Sequence, residues 1–142
     1  MGFTLVELLI AFAVLVTAVA GILLSYLRCM ELNEVARCAT LSNEEARQRM
    51  ETVKATAFDQ IKALYDRAAF ATPGIDGRGV IYVDDTNPVL LQVIVSVTWR
   101  QKNGRVYGED ANLNGVLDIG EDLNGNAVLD SPVQLVSSIY RR

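Results

Sequence analysis

The chain has 142 residues, a net charge of −4 and no histidine. This length favours one small domain with an appendage over two full domains. Without histidine the chain lacks the commonest general base and transition-metal ligand, and no basic stripe indicates nucleic-acid binding, so the composition argues against an enzyme and against a nucleic-acid-binding protein.

The first 27 residues carry much of the apolar composition. As a helix, residues 3–24 would be about 33 Å long, which is enough to cross a bilayer core. A plain membrane anchor is one interpretation. A secretory signal peptide is another, since residues 18–20 (AVA) imitate a cleavage site. However, residues 1–2 supply no basic n-region, and the apolar run continues beyond the site.

Glu7 lies inside this apolar segment, where an ionised carboxylate is costly and usually marks a functional partner. If the chain were cut after Gly2, the new α-amine of Phe3 would be a positive charge close to Glu7. Between neighbouring copies, the amine of one could pair with the carboxylate of the next. A third interpretation is therefore that Glu7 sets the register of an assembly, as single polar groups do in coiled coils.

The stretch GFTLVELLIAFAVL resembles the amino-terminal signature of type IV pilins and of type II secretion pseudopilins, at Gly2, Phe3, Thr4, Leu5 and Glu7. The resemblance implies that a prepilin peptidase cuts after Gly2 and methylates the Phe3 amine, and that Glu7 guides assembly. It makes residues 1–2 the remnant of a leader. That remnant lacks the Lys or Arg of the family's leaders, and the first basic residue is Arg28.

The resemblance also implies a location and partners. The chain would span the inner membrane once before assembly, with a periplasmic head, and would then join a periplasmic pseudopilus or an extracellular pilus. Its partners would be other pilin or pseudopilin subunits. The strand pattern around Trp99 resembles minor subunits more than a major fibre subunit.

An apolar stripe predicts that the helix continues beyond the membrane, because its members recur at steps of three and four. We expect one helix from Phe3 to near Ala69, with a membrane half at 3–27 and an amphipathic half at 28–71, ended by TPGIDGRG at 72–79. The stripe comprises Ala46, Met50, Val53, Ala57, Ile61, Leu64 and Ala68.

Two cysteines, Cys29 and Cys38, would lie on opposite faces of that helix, about 13 Å apart, so an intrachain disulfide is excluded there. Free thiols and bridges to another subunit both remain open.

Residues 72–142 read as a head of short strands. GVIYVDD at 79–85 is one candidate, and PVLLQVIVSVTWRQ at 88–101 is the clearest, since Leu91, Val93, Val95, Val97 and Trp99 alternate with more polar residues. PVQLVSSIYRR at 132–142 is predicted as a partner strand. The expected fold class is α+β, with the long helix packed on a small antiparallel sheet, as in type IV pilins.

An acidic insertion at residues 109–130 contains six carboxylates, four asparagines and no basic residue. Its first part matches a calcium-binding loop of the EF-hand or dockerin type, with Gly115 at the sharp bend and Val116 offering its backbone carbonyl. Hard oxygen ligands of this kind suit Ca²⁺. The predicted side-chain ligands of this first loop are Asp110, Asn112, Asn114, Asp118 and Glu121.

A weaker second copy follows, with side-chain ligands Asp122, Asn124, Asn126 and Asp130 and the backbone of Val128. Ala127 stands where glycine is wanted, and Val133 where the closing glutamate should be. The second loop is therefore either incomplete or borrows Glu121 or Glu109.

A solvated acidic loop with Asx-turns is the plainer alternative for the whole insertion. The apolar residues at position 8 of both copies, Leu117 and Leu129, favour calcium, because they can pack inward. We expect the role of the ion to be structural, since metal-binding energy becomes folding energy in a small head.

Two functions are compatible with these patterns. The first is a structural subunit, of the minor kind, of a type IV pilus or type II secretion pseudopilus with a calcium-stabilised head. The second is a membrane-anchored, calcium-dependent adhesive or ligand-binding module.

Overall fold

The computed structural model describes residues 4–141 and has α+β architecture. Within that range it contains two helices, α1 (Leu5–Lys54) and α2 (Phe58–Tyr65). Five strands follow: β1 (Ala68–Ala71), β2 (Asp76–Asn87), β3 (Leu90–Arg100), β4 (Val106–Tyr107) and β5 (Val133–Tyr140). The chain separates into two compact units, residues 1–36 and 37–142, which are described separately.

The described part of the first unit is helical from Leu5 onward and exposes its apolar side chains all round. Among the described residues, α1 is the one helix long and apolar enough to cross a membrane. Two of its hydroxyl groups are satisfied locally, because Thr17 donates to the carbonyl of Ala13 and Ser25 donates to the carbonyl of Gly21. Such back-bonding hides hydroxyl groups from an apolar surrounding.

In the second unit, an antiparallel sheet is centred on β3, which pairs with β2 on one side and with both β4 and β5 on the other. The three predicted strands are confirmed, while β1 and β4 were not anticipated. We call the face that carries the odd-numbered residues of β3 the inner face. Its apolar side chains form the core with Ala46, Met50 and Val53 of α1 and Ile61 of α2.

The prediction of one helix to residue 69 is wrong beyond Lys54. The chain turns at Ala57, which is extended (φ −60°, ψ 135°), and α2 starts one residue later. Thr52 and Thr56 have low helix propensity, and the Thr56 hydroxyl bonds the carbonyl of Thr52, an arrangement that bends helices. The amphipathic segment assigned to 28–71 therefore comprises the end of α1, all of α2 and β1.

This break also changes which stripe residues are buried. Ile61 is fully buried, whereas Ala57 is exposed and Leu64 is 59% exposed, because the helical phase restarts at Phe58. Residues 68–71 form a strand because they pair with β2, where Phe70 covers Gly79 so closely that a Cβ there would lie 2.1 Å from the ring.

Both cysteines lie on α1, where Cys29 is exposed and Cys38 is buried.

Candidate metal centre

The first loop of the insertion, residues 110–121, is organised by two buried carboxylates. Asp110 is 1% exposed and accepts hydrogen bonds from the backbone N–H groups of Asn114 (3.1 Å) and Gly115 (2.8 Å). Glu121 is 8% exposed and accepts from the N–H groups of Ala111 (2.9 Å) and Asp118 (3.2 Å). The first acid thus holds the bend at positions 5 and 6, and the last reaches back to positions 2 and 9.

Two amides converge on the third carboxylate of this loop. Nδ2 of Asn112 and Nδ2 of Asn114 each lie 2.8 Å from Oδ2 of Asp118. The amide N–H groups thereby supply the positive partial charge that this carboxylate needs. A cation at the centre would take over that role.

The second loop, residues 122–133, repeats the arrangement position by position. Asp122 accepts from the N–H groups of Asn126 (3.1 Å) and Ala127 (3.0 Å). The amides of Asn124 (2.5 Å) and Asn126 (2.9 Å) both donate to Oδ2 of Asp130. The second copy therefore repeats the bend and the pair of amide contacts of the first, despite its weaker sequence match.

Glu109 closes this second loop. Its carboxylate accepts from the N–H groups of Leu123 (3.2 Å) and Asp130 (2.9 Å), which are positions 2 and 9. Glu121 makes the same two bonds in the first loop. The sequence left open whether Glu109 or Glu121 completes the second loop, and in the structure Glu109 makes these contacts. Val133, at position 12, instead begins β5.

Backbone angles of the two loops also match. Position 4 has positive φ in both, at Leu113 (59°) and Gly125 (74°), and so does position 6, at Gly115 (76°) and Ala127 (60°). Ala127, which stands where the motif wants glycine, is therefore strained by roughly 1 kcal/mol, the cost of a non-glycine residue in this region.

The two residues expected to offer backbone carbonyls, Val116 and Val128, both donate their N–H groups to the asparagine at position 5 of their own loop, at 2.6 and 2.8 Å. Val116 is 58% exposed and Val128 is half-buried.

The insertion covers part of the outer face of the sheet. Leu129 packs against the sheet and is only 1% exposed. Its carbonyl accepts a hydrogen bond from the Ser96 hydroxyl (2.5 Å), and its N–H donates to the Tyr82 hydroxyl (3.1 Å). Leu117 is half-buried. Burial raises the pKa of Tyr82, an effect that the bond from Leu129 and the charge of Arg67 partly oppose.

The two loops contain carboxylate and amide oxygens, which are the type of ligand that Ca²⁺ prefers. Within residues 4–141, however, no group of three or more His, Cys, Asp or Glu side chains is gathered closely enough to hold a metal ion. A cation in either loop would depend on the asparagines as well as on the acids, so the donor set fits Ca²⁺ and not a softer transition metal.

The predicted assembly residues lie elsewhere. Gly2 and Phe3 fall outside the described residues. Glu7 is exposed in the first turn of α1, and its N–H donates to Oγ1 of Thr4 (3.3 Å). Thr4 and Glu7 thus have the spacing of a capping box, in which the glutamate also favours the positive end of the helix dipole.

Sequence reasoning missed the residues that seat the insertion, Ser96 and Tyr82. Both lie at outward positions of central strands, on the face that the insertion covers. A polar residue within an otherwise apolar strand was the available signal.

Comparison of the chain with family models, with curated proteins and with solved structures found no match.

Proposed function

We propose that this protein is a structural subunit of a membrane-rooted filament, of the type IV pilin or type II secretion pseudopilin kind. The observation that carries the proposal is the exposure of apolar side chains on every side of α1, from Leu5 (80% exposed) to Leu32 (68% exposed). A helix that is apolar all round needs cover from lipid or from protein. Before assembly the inner membrane covers it, and afterwards the helices of other subunits do.

Glu7 has two roles to separate. As the third residue of a capped helix it stabilises the first turn, worth about 0.3–1 kcal/mol. As an assembly residue it pairs with the amine of Phe3 on a neighbouring subunit after the prepilin peptidase has cut behind Gly2. Only the second role requires its negative charge in an apolar surrounding.

Filament incorporation of variants in the native cell separates these roles. We expect Glu7→Ala and Glu7→Gln both to be lost from sheared filaments while remaining in the membrane. Thr4→Ala, which removes only the cap, should still be incorporated. Incorporation of Glu7→Gln at the wild-type level would contradict the assembly role of Glu7. The alternative function, a membrane-anchored, calcium-dependent adhesive or ligand-binding module, would then remain.

Processing gives a second, independent readout. The intact mass of the chain recovered from the cell envelope should correspond to a chain that begins at an N-methylated Phe3. A mass that retains residues 1–2 would contradict cleavage by a prepilin peptidase.

We further propose that both loops bind Ca²⁺ as a structural ion, with Glu109 completing the second. Six carboxylates without a basic neighbour in the insertion repel one another, and two divalent cations would cancel most of that charge. Extracellular modules commonly bind at about 10⁻⁴–10⁻³ M, a concentration available outside the cytoplasm. Calorimetric titration should give two ions per chain, and a stoichiometry of zero would remove this part of the proposal.

A further inference from the structure

A cavity of about 260 Å³ lies between β2 and the acidic insertion. Its walls are largely apolar, with Val80 from the sheet and Val116, Leu117 and Ala127 from the two loops. Two polar side chains, Arg67 and Tyr82, complete the lining. Concave sites with apolar walls and a few polar groups are the usual form of small-ligand pockets.

Arg67 brings a positive charge to this cavity. Within residues 4–141 no carboxylate forms an ion pair with it, although six acidic residues lie in the adjoining insertion. Its backbone is fixed, because its N–H donates to the carbonyl of Ile81 (2.7 Å) and its φ is 57°. The Arg67 side chain is exposed, and from this fixed backbone it offers a fork of N–H donors.

Tyr82 offers a second donor. Its hydroxyl oxygen already accepts the N–H of Leu129, and no acceptor for its own proton is found in the described part of the chain. Arg67 lies close enough to oppose the burial-driven rise of the Tyr82 pKa, so the two groups act on one region. Together they present N–H and O–H groups that suit a carboxylate, while the charges of Asp110 and Asp130 also act on Tyr82 and oppose an anion there.

A wider depression of about 550 Å³ shares Arg67, Tyr82 and Ala127 with the cavity and extends over Gln92 and Ile94. Asp66 and Asp84 also line it. A ligand that extends from the cavity into the depression would meet these carboxylates, which disfavour a second negative charge.

We propose that this cavity binds a carboxylate carried on a small apolar group, with the carboxylate on Arg67 and Tyr82 and the apolar group against Val80, Val116 and Leu117. Such a group occurs in small organic acids and at the carboxyl terminus of a peptide whose last residue is apolar. Binding at this site depends neither on assembly through α1 nor on the function of Glu7.

The test uses ¹⁹F NMR on the full chain in non-ionic micelles, with 4-fluorophenylacetate as the probe and neutral 4-fluorophenylacetamide as its control. A ligand this small should bind with a Kd on the order of 1 mM. Arg67→Gln should weaken binding of the acid about tenfold, because a charge-assisted hydrogen bond is lost. Arg47→Gln makes the same charge change on an exposed site of α1, across the sheet, and should leave the Kd unchanged.

Val116→Trp provides a second variant, which fills the cavity without changing its charge and should also weaken binding of the acid. Unchanged thermal melting shows that each variant is folded. If Arg67→Gln fails to fold, the proposal is tested by the ratio of the Kd of the amide to that of the acid and by the Kd of the acid for Val116→Trp. Equal binding of acid and amide, or full binding to either folded variant, would overturn the proposal.

A hexapeptide ending in phenylalanine distinguishes the two ligand sources. Tighter binding of the peptide than of the small acid would assign the site to a chain terminus, through contacts in the wider depression. Equal affinity would assign it to a small organic acid. Repeating the titration with a calcium chelator separates this site from the metal proposal, because the wild-type comparison of acid with amide is made in both conditions.

Discussion

Glu109 closes the second loop, which begins directly after Glu121. Glu121 closes the first loop, which begins directly after Glu109. Glu121 bonds positions 2 and 9 of the first loop and lies directly before Asp122, which opens the second. Glu109 bonds positions 2 and 9 of the second loop and lies directly before Asp110, which opens the first. The two loops are therefore reciprocal, and neither is complete without a residue that adjoins the other.

This reciprocity predicts that Glu109→Gln damages the second loop although it lies outside it. The amide keeps the shape of the side chain but loses a charge-assisted hydrogen-bond acceptor, so we expect a loss of about 1–2 kcal/mol in the free energy of unfolding. Calorimetric titration with Ca²⁺ should show one strong site where the wild type shows two.

Glu44→Gln is the matched control, because Glu44 is exposed on α1. Two calcium ions bound by Glu109→Gln with wild-type affinity would contradict the closing role of Glu109.

Ala127→Gly tests the backbone strain of the second loop. At φ 60° glycine avoids the Cβ clash, so we expect the substitution to raise the free energy of unfolding by about 0.5–1 kcal/mol despite the greater entropy of the unfolded chain. Urea unfolding monitored by Trp99 fluorescence measures the change.

Ala111→Gly, at a position of the first loop without positive φ, should instead destabilise slightly. The prediction for Ala127 fails if both substitutions move stability in the same direction.

The sheet was predictable because its signal is local. In β3 the odd-numbered side chains from Leu91 to Trp99 are buried, as their alternation predicts. The helical stripe was only partly predictable. Val53 and Ile61 are both buried, but the turn at Ala57 between them restarts the helical phase, and no glycine or proline marks it.

The role of Glu109 in closing the second loop could be predicted only with tertiary information. A motif read along one loop ends at Val133, and only the folded insertion places Glu109 beside Leu123 and Asp130. Likewise, Phe70 and its alanine neighbours form β1 because Gly79 leaves room for the ring, a contact that local propensity does not encode.

Ile61→Ala tests whether α2 belongs to the core. Its side chain is fully buried among residues of α1 and the sheet, so the substitution should cost about 2–5 kcal/mol of the free energy of unfolding. Leu64→Ala on the same helix removes a side chain that is 59% exposed and should cost much less.

Chemical denaturation of both variants makes the comparison. Equal losses would mean that the helical phase continues through residue 57, as the sequence pattern alone suggests.

The raised pKa of Tyr82 predicts that the protein loses stability at alkaline pH. Burial raises its pKa in the folded protein, so the folded state holds the phenolic proton more tightly than the unfolded chain, where the pKa is about 10. The resulting stability is fully present below pH about 10 and is lost as the pH rises through the folded-state pKa. An ionised Tyr82 would also face the acidic insertion, including Asp110 and Asp130, which raise its pKa further.

Melting temperatures between pH 8 and 11 measure this effect. Tyr82→Phe should be less stable than the wild type at pH 8, because the N–H of Leu129 loses its acceptor, but its melting temperature should fall less steeply above pH 10. Tyr140→Phe removes a phenol that is 68% exposed and should reproduce the wild-type slope. If the melting temperature of Tyr82→Phe still falls steeply above pH 10, another group is responsible for the alkaline loss of stability. Tyr82 would then stabilise the fold only through its hydrogen bond with Leu129.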